Sequence, residues 1–345
     1  MKILLSSYAF PPSVGGIEAV AVMLTEEFIA AGHQLKVVTH TLDDGKTKLS
    51  YEVVRKPGVL PLIRLLRWSD VVLHVNISLH TGWPLLLKMK PWVISHHTWV
   101  PRNFRGFVKR YCNSIAHNIS VSHAVAESLD VPSTVIPNPY DQVTFREPTN
   151  SSRDRDLIFV GRLVTEKGVD CALKALSLLN KDGITPNFTI VGKGPDESRL
   201  RQMTSALGLD GQVTFVGLKR GPELADELAR HRILVAPSTL PEPFGVVALE
   251  GIASGCVVVG SEGGGLKDAI GPCGMTFQNN KVSALAACIR ELLTDSTKLN
   301  DYRLHAKSHL AGFSRPLIAQ KYLDVMQSAL SSSGTFMTAR FASNN

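Results

Sequence analysis

The chain has 345 residues, of which 44% are hydrophobic and 19% charged, with a formal net charge of +7. At roughly 100–200 residues per domain this is material for about two cores, which excludes a chain that is disordered throughout. No apolar run approaches the ~18 residues of a membrane span, and five widely spaced cysteines, an odd number without a Cys-x-x-Cys pair, exclude a disulfide framework or a zinc site.

The N-terminus opens with an apolar run, Lys2–Ser7, followed at once by Pro11-Pro12 and Gly15-Gly16 with no Ala-x-Ala signal. It reads as a first strand of a cytoplasmic protein, not as a leader. Apolar residues at Ile17, Val20, Ala21, Leu24 and Phe28 have helical spacing and stop at Gly32. Strands follow at 34–39, 71–75, 92–95, 118–121 and 134–136, with a helix near 104–116. The polar stretch 147–156 breaks this pattern and reads as a linker. A second alternation then runs through strands at 157–160, 188–191, 213–215, 233–236 and 257–259. Its helices are expected at 169–179, 196–207, 223–229, 246–254 and 283–293. A final amphipathic helix covers 317–330, and a Ser- and Thr-rich tail follows from Ser331. Alternation of this kind implies parallel sheets with helices on both faces. The expected division is a first domain over 1–150, a second over 151–312, a helix over 313–330 and a flexible tail over 331–345. Ligands of such folds bind beyond the carboxyl ends of the strands, in a cleft between the two halves.

The strongest local signal is Pro237-Ser-Thr-Leu-Pro-Glu242-Pro-Phe-Gly245-Val-Val-Ala-Leu-Glu250. A strand ends near Ala236, a Pro-rich loop follows, and a helix begins near Gly245. Free N–H groups at that helix start favour a phosphate, and Glu242 and Glu250 can accept hydrogen bonds from sugar hydroxyls beside it. In isolation, such a pair is an ordinary first-turn acid and a solvated helix residue.

The pattern Glu-x7-Glu with Phe244-Gly245 resembles the signature of family 4 glycosyltransferases, which have the GT-B fold. Other segments resemble that family in the same order along the chain. These are Pro12-Ser-Val-Gly15-Gly16-Ile-Glu18, Phe159-Val-Gly161-Arg162-Leu163 with Lys167-Gly168, Ile190-Val-Gly192-Lys-Gly194-Pro195, and Ser261-Glu-Gly-Gly264-Gly265-Leu-Lys-Asp268. The resemblance implies two Rossmann-like domains facing each other across a cleft, with a C-terminal helix crossing back to the first. It implies that Arg162 and Lys167 hold the donor pyrophosphate, that the products keep the anomeric configuration, and that Glu242 contacts the sugar. Phe244, Gly245 and Glu250 belong to the same donor site.

Read physically, Gly15-Gly16 and Gly264-Gly265 each precede a helix and let backbone approach a diphosphate closely; a simple turn is the competing reading. Two cations in the loop at Arg162 and Lys167 can neutralise a departing nucleoside diphosphate in place of a metal. His96-His97 follows a strand, where a histidine faces the cleft and can bond sugar or phosphate; the family resemblance implies that His97 takes this role, with His96 as the fallback. Asp154-Arg-Asp156 matches a metal motif by letters but sits in the expected linker, so no metal site is expected. Two departures from the family pattern stand out: Asn138-Pro139-Tyr140-Asp141 has proline where glycine is usual, and Lys267-Asp268 stands where Pro-Glu is common.

Residues 53–126 carry ten Lys/Arg and one acid, Asp70. Within that region, 59–68 reads as an interfacial helix or loop, and 104–111 is similar, so an anionic membrane surface is an expected partner. Packing with snorkelling basic side chains is the alternative.

The expected function is transfer of a sugar from a nucleotide sugar, with no cofactor, to a carbohydrate or lipid-linked acceptor in cell-surface polysaccharide or glycolipid synthesis. Nucleic acid is not expected as a partner. Two alternatives keep the fold: a sugar-nucleotide epimerase, which needs no acceptor, and a non-catalytic nucleotide-sugar-binding partner of an assembly complex. A dinucleotide-dependent dehydrogenase is disfavoured because no Gly-x-Gly-x-x-Gly opens the first helix.

Overall fold

The structure, a computed structural model, describes residues 1–13, 15–87, 90–101, 103–147 and 153–342, apart from the side chains of 104, 105 and 333–342. The chain divides into two compact units, Met1–Pro139 with Arg315–Asn345, and Tyr140–Ser314.

The first unit carries β1 (Lys2–Ser7), β2 (Gln34–Thr39), β3 (Glu52–Arg55), β4 (Val71–Val75), β5 (Trp92–His96), β6 (His117–Ser120) and β7 (Thr134–Val135). They form one parallel sheet in the order β3-β2-β1-β4-β5-β6-β7. A sheet covered on both faces needs apolar residues on both, and every residue of β4 and β5 is buried. On one face Leu4, Val38, Val72 and Ile94 meet Leu62, Leu65 and Leu66 from a helix at Val59–Trp68, and Cys112 from a helix at Phe104–Ile115. The segment 59–68 is therefore a helix, with Pro61 in its first turn, where a backbone N–H has no helical partner to lose. Helices Gly16–Ala30 and Arg315–Ala342 also pack against each other in this unit.

The one histidine inside β4 shows how such a sheet tolerates a polar group. His74 accepts from the Trp92 indole N–H at 2.9 Å through Nδ1, and its Nε2 meets Thr81 Oγ1 at 3.0 Å. Burial lowers its pKa to about 3, so it stays neutral and belongs to the core.

The second unit carries β8 (Arg155–Val160), β9 (Phe188–Val191), β10 (Val213–Gly217), β11 (His231–Ala236), β12 (Val257–Ser261) and β13 (Gly274–Phe277), again all parallel, in the order β10-β9-β8-β11-β12-β13. Leu157, Phe159, Ile190, Ile233, Val235, Val257 and Val259 pack with Ala172, Leu176, Leu285 and Ile289 of helices Val169–Lys181 and Val282–Thr294. Each fully buried large side chain contributes about 1.5–3 kcal/mol. All five cysteines are free thiols and buried, packing as small apolar side chains.

Three boundaries differ from the sequence expectation. The units part after Pro139, not within 147–156, and residues 148–152 of that expected linker lie outside the described residues. Tyr140 and Phe145 are buried in the second unit. Arg153, polar by composition, is a half-buried tether there: its guanidinium donates to Ala229 O at 3.0 Å, His231 O at 3.1 Å, Ser254 O at 3.1 Å and Glu147 Oε1 at 2.8 Å. Asp154 and Asp156 are ion-paired with Arg230 and Arg232 at 2.9 and 3.5 Å. The last helix begins at Arg315, whose guanidinium meets Glu26 at 2.6 Å and Glu27 at 3.0 Å, so Phe313 stays with the second unit. That helix continues to Ala342, through most of the segment expected as a flexible tail.

Candidate active site

In the second unit the expected residues converge at the carboxyl ends of β8 and β11. Arg162 lies exposed just beyond β8. Lys167 ends a short turn at Thr165–Lys167, and Gly168 follows with φ 69°. A β-carbon on Gly168 would lie 1.9 Å from Pro237 O, so only glycine lets this turn press against the loop after β11. That contact brings Lys167 Nζ to 2.7 Å from Glu242 Oε1, although 75 residues separate them. Ser238 Oγ also donates to Glu242 Oε1 in a short contact. Both members of the ion pair are partly covered, Lys167 at 29% and Glu242 at 16% exposure.

Glu242 is held by its backbone as well. Its N–H donates to Gly263 O at 3.2 Å, and its carbonyl accepts from Gly265 N–H at 2.7 Å. Gly264 sits at φ 83°, where a β-carbon would be 2.1 Å from Glu242 O. This loop therefore buttresses the Glu242 loop, with the Gly265 N–H already engaged by Glu242 O. Asn279, which sequence reasoning missed, ties the two loops together: it accepts from Gly263 N–H at 2.9 Å and donates to Ser238 O at 2.9 Å. No local pattern signals it.

Gly245 caps the helix Val246–Ala253 with no side-chain hydrogen bond to its first N–H groups. A helix start of this kind favours an anion. The Phe244 side chain is buried against Phe313, ring centroids 6.1 Å apart, so it anchors the loop from beneath. Glu250 lies in the same helix. Burial, reinforced by the nearby Asp141, raises its carboxyl pKa to about 7, so it can accept or donate near neutrality. Asp268 lies in the short helix Leu266–Ile270, with Lys267 exposed beside it. Among the described residues no group of three or more His, Cys, Asp or Glu is arranged to hold a metal ion.

The first unit presents its own set at the carboxyl edge of its sheet. Gly15, in extended backbone, caps the helix Gly16–Ala30, and its carbonyl accepts from Ala19 N–H at 3.1 Å. A β-carbon on Gly16 would meet nothing within 4 Å, so the space beside it is open. Val14 of this loop lies outside the described residues. His97 follows β5. Its N–H donates to Asn76 Oδ1 at 2.8 Å, and its Nε2 meets Ser95 Oγ at 2.8 Å. Asn76 is a second residue sequence reasoning missed; its φ of 58°, which asparagine tolerates better than most, aims its side chain at His97. Burial, then the neighbouring His96, lowers the His97 pKa to about 3, while Asn138 acts in the opposite direction. His97 Nδ1 and Asn138 Oδ1 are both buried and make no hydrogen bond of normal geometry, although the Asn138 side chain lies close enough to the ring to favour its protonated form. His96 is held through Nε2, at 3.0 Å from Asn118 Oδ1.

Two family models match the chain: "Glycosyltransferase Family 4" over residues 14–142 and "Glycosyl transferases group 1" over residues 141–309. The gpi3 subunit of phosphatidylinositol N-acetylglucosaminyltransferase from Schizosaccharomyces pombe is 25% identical over 329 residues, 83% of this chain and 71% of that protein. Glycogen synthase from Mycobacterium tuberculosis is 37% identical over 168 residues, 47% of this chain but only 40% of that enzyme's length. Among solved structures, Anabaena HepE in complex with UDP superposes with a TM-score of 0.81 at 20% identity, covering 95% of this chain and 100% of that one. Sucrose-phosphate synthase from Thermosynechococcus elongatus gives 0.81 at 20% identity, covering 96% and 99%. These likenesses establish the GT-B type of fold, two parallel-sheet α/β domains, and the two matched models between them run from residue 14 to residue 309. The chain belongs to the family 4 glycosyltransferases, within glycosyl transferases group 1, and is a glycosyltransferase.

Proposed function

We propose that the chain transfers a sugar from a nucleoside-diphosphate sugar to a carbohydrate or lipid-linked acceptor, with retention of the anomeric configuration and without a resident cofactor. The observation that carries this is the Lys167–Glu242 pair at 2.7 Å, beside exposed Arg162 and an uncapped helix start. In the transfer, the bond between the anomeric carbon and the phosphate oxygen breaks, and its electron pair leaves with the diphosphate. The acceptor hydroxyl oxygen bonds to that carbon and its proton passes to the departing phosphate. Arg162, Lys167 and the helix N–H groups meet the charge that develops, which is the role a metal ion serves in other transferases. Glu242 is released from Lys167 to bond sugar hydroxyls, and Glu250 bonds hydroxyls at the other side of the phosphate. HepE is a structural neighbour whose complex holds UDP, which supports a nucleoside diphosphate as the leaving group.

The test is a thermal-shift panel of nucleoside diphosphates and nucleotide sugars. A ligand at 100 times its Kd stabilises by about 2.7 kcal/mol, a rise of roughly 5–10 °C for a unit of this size. No response to any member of the panel would refute the reading, as would an undiminished response in a variant lacking both Arg162 and Lys167.

We further propose that the first unit rests on an anionic membrane surface at the inner face, where a lipid-linked acceptor for surface polysaccharide or glycolipid would be presented. Helices Val59–Trp68 and Phe104–Ile115 contribute to one apolar cluster on the same side of the sheet. Their outer faces carry Val59, Leu60, Phe107 and Tyr111, exposed at 57%, 70%, 63% and 58%, with Arg64 and Arg67 exposed among them. Apolar side chains interleaved with arginine suit a headgroup boundary. Arg110 is engaged with Asp130 at 3.6 Å, and the side chains of Phe104 and Arg105 lie outside the described residues. No described helix is long and apolar enough to cross a membrane. Co-sedimentation with anionic vesicles at low salt, lost in Leu60→Glu with Phe107→Glu, is the expected result; no binding by the unaltered chain removes this part of the proposal.

A further inference from the structure

The His97 ring is connected to the last helix of the chain. Tyr322, fully buried on the helix Arg315–Ala342, places its hydroxyl 2.6 Å from Ser95 Oγ, and Ser95 Oγ lies 2.8 Å from His97 Nε2. All three residues belong to the first unit. The direction of these bonds follows from counting protons. A buried phenol that does not donate strands its proton, and Ser95 Oγ is the partner within range. Burial pushes the Tyr322 phenol pKa well up, so it keeps that proton. With Tyr322 donating to Ser95, the Ser95 proton has one buried acceptor before it, His97 Nε2. The imidazole proton is then on Nδ1, the nitrogen that is buried beside Asn138 and makes no hydrogen bond of normal geometry. Asn76 fixes the backbone of the same residue at 2.8 Å.

We infer that Tyr322, acting through Ser95, is a positioning residue that holds His97 as the Nδ1–H tautomer, presenting one fixed hydrogen-bond donor to an oxygen of the substrate. This rests on the reading of His97 as a residue that faces substrate. It gives the returning helix a role beyond packing: residues 227 positions apart set the polarity of one ring nitrogen. An Nδ1–H donor suits a sugar hydroxyl or phosphate oxygen, whereas the opposite tautomer would offer a lone pair and repel a phosphate.

Histidine nitrogen-15 NMR on the full chain tests this, because long-range proton–nitrogen correlations distinguish the two neutral tautomers. The His97 signals are identified by their loss in His97→Gln. The expected result is a single Nδ1–H form in the unaltered chain that does not titrate between about pH 5 and 8. Tyr322→Phe, which keeps the ring and removes the hydroxyl, should convert that signal into a mixture with the Nε2–H form. Ser95→Ala should do the same and decides the matter if Tyr322→Phe does not fold. An Nε2–H signal in the unaltered chain overturns the inference. So does an Nδ1–H signal that survives Tyr322→Phe and Ser95→Ala but is lost in Asn138→Ala, which would hand the role to Asn138. The thermal response to nucleoside diphosphates, measured on the same samples, reports on Arg162 and Lys167 in the second unit, so a failure there is distinguishable from a failure here.

Discussion

Replacing Lys167 by methionine keeps the aliphatic stem and removes the charge that lies 2.7 Å from Glu242. Two effects of different size follow. In the unliganded protein the pair is worth little: it is partly exposed, so solvent screens it, and Glu242 keeps the Ser238 hydroxyl as a partner. A screened pair of this kind contributes about 1 kcal/mol or less, which for the second unit amounts to a fall of about 2–4 °C in Tm. Under the proposed function the catalytic effect is larger, because the same ammonium then meets the charge on the departing diphosphate. Loss of one such donor costs about 2.7–4 kcal/mol, or roughly 10²–10³ in kcat. The assay pairs a melting curve with release of nucleoside diphosphate from the nucleotide sugar that gives the largest thermal shift. A folded Lys167→Met protein with kcat within threefold of the original refutes the role of Lys167 at the phosphate. A fall in Tm of more than about 8 °C with proportionate loss of folded protein would instead make the pair a structural brace.

Arg162 is exposed beyond β8, so Arg162→Ala should leave Tm within about 1 °C while lowering kcat by roughly 10²-fold or more; unchanged turnover contradicts its assignment. Glu250 has a pKa raised from 4.5 to about 7, so the folded state holds its proton where the unfolded chain has lost it. Its contribution to stability therefore falls as pH rises between about 4.5 and 7 and stays unfavourable above that range. Glu250→Gln should remove this component and raise stability at pH 8 by about 1–3 kcal/mol; a denaturation midpoint at pH 8 equal to or below that of the unaltered chain refutes the shift.

Much of this protein is legible locally. Apolar runs ending in glycine- and proline-rich loops place Arg162, Lys167 and Glu242 just beyond strands and Glu250 inside the helix that follows, because strand, turn and cap are each specified by a few neighbouring residues. Elements without a local signature are absent from the sequence reading. β3 and β13 are four-residue edge strands with mostly half-exposed side chains, so neither shows an apolar run or an alternation. The unit boundary lacks a local signature for a related reason: Arg153 has linker composition, yet its guanidinium satisfies three buried carbonyls of the second unit.

By itself, then, the sequence determined two successive α/β alternations and the loops that carry cations, glutamates and glycines, since propensity and hydrophobic period act over one element at a time. Tertiary structure alone decided which of those loops touch: Lys167 with Glu242 across 75 residues, the Gly264 loop beneath Glu242, and Tyr322 with Ser95 across 227. Such pairings depend on how parallel strands are ordered in a sheet and on where the last helix returns. Those are properties of long-range packing and buried hydrogen-bond satisfaction, and they leave no periodic trace in the chain.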